Sequence, residues 1–340
     1  MKLFKRLSYI FATSPLISVC LLAAPAGATG SWGSPPSAEA FQANNGYLYT
    51  NVTGGSAMNT LQGMAAGTGP AIAALTGGGY EVAFQANNGY LYLFNTKTGK
   101  TLNTLQGMAA GTSPAIASYA VAVGSYDVAF QANNGHLYTY NWSTGPAATT
   151  LAMTPSSNPS IATLSNNSYA IAYSAAGSNN LSIALAVGVI QTDQGVASGT
   201  SPSIARVGTQ FEIAYIANGS NQLDLYWPNT GPGGTGITVE TGTSPSIAAV
   251  PSSIYEVALA VPGSDNLEVL AGAGSNTIST DQGLVPGSSP SITVLSDGEY
   301  QVAFQAAGSN HLLLYYPALR TGIDTSQGMA STTNPSIQGN

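Results

Sequence analysis

The chain has 340 residues, 44% of them hydrophobic and only 6% charged, with a formal net charge of −7. That apolar share excludes the charged, weakly hydrophobic disordered class. Seven basic residues cannot build the clustered cationic surface that nucleic acid or an anionic membrane requires, so solubility rests on Ser, Thr, Asn, Gln and backbone groups.

The first element is a targeting segment. Lys2, Lys5 and Arg6 precede a largely apolar run from Leu7 to Ala24, and Ala26-Gly27-Ala28 supplies small residues for cleavage after Ala28. Residues 1–28 are therefore expected to be a signal peptide and 29–340 the mature domain, secreted or held at the cell surface. The alternatives are an uncleaved anchor and a lipid attached at Cys20, the single cysteine. Beyond this segment no stretch is long and apolar enough to span a bilayer. Cleavage leaves four basic residues (Lys97, Lys100, Arg206 and Arg320) against 14 acids. With no cysteine left, stability has to come from packing and strand pairing.

The stretch Glu81 to Tyr92 then reads as a β-hairpin. Val82 and Phe84 alternate with Glu81, Ala83 and Gln85, and Asn87-Asn88-Gly89 offers residues that tolerate positive φ in a tight turn. The hairpin recurs along the chain. Its aromatic or large apolar position is Phe41, Phe84, Phe130, Tyr173, Tyr215, Leu259 and Phe304, at spacings of 42–46 residues, and an alanine precedes each one. Four residues before it stands Tyr80, Tyr126, Tyr169, Phe211, Tyr255 or Tyr300, with Ser37 in the first repeat. Alanine on one face allows a neighbouring sheet to approach closely.

A second motif, Ser-Pro-Ser-Ile in its fullest form, carries Pro70, Pro114, Pro159, Pro202, Pro245, Pro290 and Pro335. Proline at the first residue of a strand forfeits no ladder hydrogen bond, so each motif is read as opening a short inner strand. A third, Gln-Gly-Met or a variant, precedes it at Gln62, Gln106, Gln194, Gln282 and Gln327. Repeats of about 44 residues with four short strands each indicate an all-β, seven-bladed β-propeller. Ser34-Pro35-Pro36 is a poor opening for the first repeat, and Pro335 opens a strand with no hairpin after it. The C-terminal strand is thus expected to complete the blade that the N-terminus begins, closing the ring.

Catalytic candidates are sparse. His136 and His311 lie in different blades, and no metal or cofactor motif is present. Glu81, Asp127, Glu212 and Glu256 share one repeat position, and Asp193, Asp281 and Asp324 recur near Gln-Gly; a repeated acid belongs to the blade more readily than to a catalytic pair. What remains is neutral binding chemistry, in which amides meet sugar hydroxyls and aromatic rings meet apolar sugar faces. The outward amides Gln42, Gln85, Gln131 and Gln305 fall on consecutive blades of a closed ring. They can meet a sugar diol or the backbone of the adjacent blade. Asn51, Asn141, Asn166, Asn180 and Asn218 begin Asn-x-Ser/Thr sequons.

The run Ser289-Pro290-Ser291-Ile292, then Tyr300 to Phe304, then Gly308-Ser309-Asn310-His311-Leu312 resembles the seven-bladed propeller lectins, bacterial PLL-like and fungal. It is also similar to repeat modules of secreted actinobacterial proteins. The resemblance covers nearly all of 29–340. Those lectins often place Trp in the return strand, where this chain has Tyr49, Tyr92 and Tyr138. The resemblance implies a non-catalytic glycan-binding protein, with glycans or glycoconjugates as partners; from the residues themselves, repeated weak sites are expected at the four glutamines and these three tyrosines, with no cofactor. The rival readings are a structural or adhesive protein that binds other surface proteins and a secreted glycoside hydrolase.

Overall fold

The computed structural model describes residues 37–340 apart from 53–54, 121, 166, 252–253 and 273–276. The expected signal peptide, Cys20, Ser34-Pro35-Pro36 and the sequon residue Asn166 lie outside the described residues. Among the described residues every regular element is a strand.

The strands form seven four-stranded antiparallel sheets, the blades of a β-propeller. Blades two to seven are contiguous in sequence, at 71–107, 115–152, 160–195, 203–238, 246–283 and 291–328. In each, four strands run in chain order from the inner to the outer edge. Blade one is composite. Its inner strand, Ser336–Gly339, comes from the C-terminus and pairs with Ser37–Gln42 in the register Ser37↔Gly339 to Ala40↔Ser336. The inner strand of every blade starts one residue after the motif proline, so the prolines stand just outside the ladders.

Alternation on the second strand decides how blades stack. Tyr80, Val82 and Phe84 of blade two pack against Ala38, Ala40 and Leu48 of blade one. On the opposite face Ala83, Leu91 and Leu93 meet Tyr126, Val128 and Phe130 of blade three. Large residues of one blade thus fill the space above the alanines of its predecessor. Phe41, Phe84, Phe130 and Phe304 are all 0% exposed.

The hairpin turns differ in one respect from the sequence reading. In the tighter turns of blades one to three only the glycine, Gly46, Gly89 or Gly135, has positive φ. The asparagines keep ordinary dihedrals. This is a four-residue loop that ends on one left-handed residue. In blades four to seven the turn is one residue longer and holds a second left-handed position, such as Asn179 after Gly177.

The inner strands are tied to one another by side chains. The N–H of Gly69 donates to Ser113 Oγ, Ser113 to Asn158 Oδ1, Asn158 to Ser201 Oγ, Ser201 to Ser244 Oγ, Ser244 to Ser289 Oγ and Ser289 to Asn334 Oδ1, at 2.7–2.9 Å. These residues all precede a motif proline. A second set runs from the motif isoleucines to serines of the preceding blade, including Ile72 N–H to Ser336 Oγ at 3.2 Å across the closure. Gly69 sits at the seam, where an added Cβ would lie 2.8 Å from the Asn334 carbonyl oxygen.

Truncation after Thr333 strips the Ser37–Gln42 strand of its partner and leaves an open sheet edge. The truncated protein is expected to lose its cooperative melting transition or to aggregate, as thermal unfolding with light scattering would show. Gly69→Ser, which forces a side chain against fixed backbone, is expected to cost about 1–3 kcal/mol in denaturant unfolding.

Candidate functional site

The four glutamines and three tyrosines of the sequence reading occupy different environments. Gln42, Gln85, Gln131 and Gln305 are at most 2% exposed. Each donates its amide to the linker that leaves its own blade for the next: Gln42 to the Met64 and Ala65 carbonyls, Gln85 to Ala109, Gln131 to Met153 and Thr154, and Gln305 to Ala330, at 3.0–3.3 Å. Their side chains therefore hold backbone inside the ring.

Tyr49, Tyr92 and Tyr138 are half-buried on the third strands. Each ring packs on the phenylalanine opposite it, Phe41, Phe84 or Phe130, with centroids 5.8 Å apart. Each hydroxyl accepts from the side-chain amide of the exposed Asn45, Asn88 or Asn134, at 3.2, 3.1 and 3.2 Å. The Oδ1 of the same asparagine accepts the N–H two residues on, that of Tyr47, Tyr90 or His136. One asparagine thus orders both the turn and the phenol, and the same amide–phenol corner stands in blades one, two and three.

The linkers connect the two groups. Met329, Met64 and Met108 bridge Ala43, Ala86 and Ala132 at the foot of these turns. The linkers held by Gln305, Gln42 and Gln85 are the ones that support the corners of blades one, two and three. The neighbouring glycine of Gln-Gly-Met leaves room for the turn's first asparagine: a Cβ on Gly63 would lie 2.7 Å from Asn87 Nδ2, with Gly107 against Asn133 and Gly328 against Asn44 alike. The corner asparagines were not singled out by sequence reasoning, which took them as turn residues. Their signal was the recurrence of Asn-Gly-x-x-Tyr, where a tyrosine lies four residues after the second asparagine.

The periodic acids are buried between blades. Burial raises Glu39 from 4.5 to about 7 despite hydrogen bonds from Ser37 and Asn51. Burial likewise pushes Glu212 up to about 8, opposed by a hydrogen bond from Trp227. Each acid faces a tyrosine of the next blade, whose own pKa is raised by burial and then by the acid: Glu39 with Tyr80, Glu81 with Tyr126, Asp127 with Tyr169, Glu212 with Tyr255 and Glu256 with Tyr300. Between blades four and five both partners are apolar, Ala170 and Phe211, in one cluster. The acids thus belong to the blade interfaces.

Among the described residues no group of His, Cys, Asp and Glu could hold a metal ion. His136 Nδ1 lies 3.2 Å from the Asn134 carbonyl, and His311 Nδ1 lies 3.0 Å from Asp324. Of the sequon asparagines, Asn51 and Asn141 donate to the buried Glu39 and Asp127, whereas Asn218 is exposed.

No family model and no curated protein matches the chain. Among solved structures, the fold is similar to the fucose-specific lectin of Aleuria aurantia, with TM-score 0.56 at 14% identity over 77% of this chain and 95% of that one. That lectin is a six-bladed β-propeller. The fold is also similar to AofleA from Arthrobotrys oligospora, with TM-score 0.55 at 12% identity over 89% and 93%. TolB from Acinetobacter baumannii matches with TM-score 0.51 at 12% identity over 90% and 67%. The resemblance to propeller lectins holds at the level of the fold, which TolB also shares, and function has to be argued from the site.

Two outcomes test these assignments. Replacing Gln42, Gln85 or Gln305 by Ala removes a buried side chain together with its hydrogen bond to the linker and is expected to cost about 1–3 kcal/mol each in denaturant unfolding. Glu39 and Glu212 bind protons more tightly folded than unfolded, so their contribution is full below pH 4.5 and is lost as pH rises to about 7 and about 8. The melting temperature is expected to fall across that window, and a Glu39→Gln, Glu212→Gln double variant to show a flatter profile.

Proposed function

We propose that the protein is an exported, non-catalytic glycan-binding propeller with several weak sites. The observation that carries this reading is the amide–phenol corner repeated in blades one, two and three. It places the exposed Asn45, Asn88 and Asn134 beside the accessible edges of Tyr49, Tyr92 and Tyr138. An amide both donates and accepts, which suits vicinal hydroxyls, and a phenol ring offers an apolar face to sugar C–H groups. Gln305, Gln42 and Gln85 serve these corners from below by fixing the linkers on which they stand. The fucose-specific lectin of Aleuria aurantia, which shares the fold, supports a sugar as the ligand. The periodic acids Glu39, Glu81 and Asp127 lie in the blade interfaces, which favours binding over glycoside hydrolysis. The N-terminal Lys2, Lys5 and Arg6 before an apolar run support export.

A glycan array run beside a panel of chromogenic glycosides tests the reading. Retention without turnover is expected. Turnover would make the protein a hydrolase, and neither result would turn attention to a protein partner. Asn45→Ala, Asn88→Ala and Asn134→Ala, made singly and together, are expected to lower avidity stepwise while melting is little changed, because linked weak sites multiply affinity. Undiminished retention by the triple variant would remove the corners from the site.

A further inference from the structure

The second strands of blades one, two, three, five and six bury a carboxyl at the same position: Glu39, Glu81, Asp127, Glu212 and Glu256. In blades one to three the third strand ends on asparagine, and its Nδ2 donates to that carboxyl: Asn51 to Glu39 at 3.0 Å, Asn95 to Glu81 at 2.8 Å and Asn141 to Asp127 at 2.7 Å. In blade five the third strand ends on Trp227. The substitution exchanges a small amide for a large ring with a single N–H donor. Glu212 is 1% exposed, and its Oε1 has no hydrogen-bond partner.

A cavity of about 480 Å³ lies beside this pair, walled by Trp227, Phe211, Val207, Pro228 and Ile254, with Glu212 among its lining residues. Trp227 is firmly seated, since a Cβ on Gly233 would lie 2.7 Å from the indole Cζ3. Ile254, on the lip, holds φ at +80°, a left-handed value that β-branched residues rarely adopt. Among the described residues, the charged and titratable groups around Glu212 supply no compensating cation. Tyr255 of blade six is a phenol whose pKa rises to about 12 through burial, Glu212 and Glu256. Arg206, on the inner strand of blade five, is exposed and donates its Nε to the Gly208 carbonyl at 2.9 Å.

We propose that this cavity binds an organic cation, an ammonium group on an apolar body, with the body against Trp227 and Phe211 and the ammonium against Glu212. Apolar walls with one convergent polar group are the ordinary makeup of a small-molecule site. An anion would meet the carboxyl with repulsion, and a neutral hydroxyl would gain one hydrogen bond. A cation gains a desolvated ion pair together with attraction to the indole face. The cavity lies at the opposite end of the blades from the amide–phenol corners, so this site stands or falls independently of glycan binding.

Calorimetric titration of the whole protein at mildly alkaline pH, with the carboxyl ionised and the amine still charged, tests the proposal. The probes are 2-phenylethylamine, its neutral counterpart 2-phenylethanol and the anion 3-phenylpropanoate. The amine is expected to bind one site per chain at least about tenfold more tightly than the alcohol, the scale of one desolvated cation–π contact. The acid is expected not to bind. Glu212→Gln, which keeps the shape and removes a buried charge, is expected to melt at or above wild type, erase the preference and leave alcohol affinity unchanged. Trp227→Phe is expected to weaken the amine, and in wild type the Trp227 indole N–H resonance should shift on its addition. Failure of the amine to bind, equal affinity for amine and alcohol, or a preference that survives Glu212→Gln would each overturn the assignment.

Discussion

Everything in this fold depends on closing a ring of short inner strands. Those strands are only three to five residues long, as in Ser246–Ala248 and Ser203–Val207, too short to hold a blade in place by ladder bonds alone. Side chains do the joining. The residue before each motif proline accepts or donates across a blade boundary, from Gly69 round to Asn334. Proline suits the next position because it has no N–H to leave unpaired. The buried Thr or Ser before that pair turns its hydroxyl back to the carbonyl three residues earlier, as Thr68 does to Ala65 and Thr112 to Ala109. The motif is therefore a joint between blades, and its serines are there for their oxygens.

The ring sets the spacing of the blades, and the spacing sorts the side chains. A second strand has one face on each neighbour, so phenylalanine on one side has to meet alanine on the other. The outward Gln of the hairpin falls on the alanine side and is enclosed with it. Its amide finds the linker carbonyls, which no strand pairs. The third strand lies further out, where the gap between blades opens, so Tyr49, Tyr92 and Tyr138 are only half-buried. Two residue types from one hairpin end in opposite environments because of their distance from the ring's axis.

The blades are alike in backbone and unlike in chemistry. Blades one to three carry the Asn–Tyr corners and the Asn–carboxylate pairs. Blade four drops the acid, and its alanine meets the one phenylalanine among the interface aromatics, so acid and phenol are absent together. Blade five restores the acid and replaces its amide partner with Trp227. A buried carboxyl is tolerated where hydrogen bonds meet it. Where that supply is reduced, as at Glu212, the blade departs furthest from the common pattern.

The sequence by itself determined the number of blades, the closure by the C-terminal strand and the order of strands, because each follows from local periodicity repeated at near-constant spacing. Alternation marked the second strands, proline marked the start of the inner strands, and glycine marked the turns. It also determined which residues to examine, such as the four glutamines and the three tyrosines. The tertiary structure alone decided what those residues touch. Whether Gln85 faces a ligand or the Ala109 carbonyl depends on the position of a linker 24 residues later, and the cavity beside Trp227 is walled in part by Ile254 of the next blade. Local pattern fixes which way a side chain points; the distance to the neighbouring blade, a property of the closed ring, fixes whether it meets protein or water.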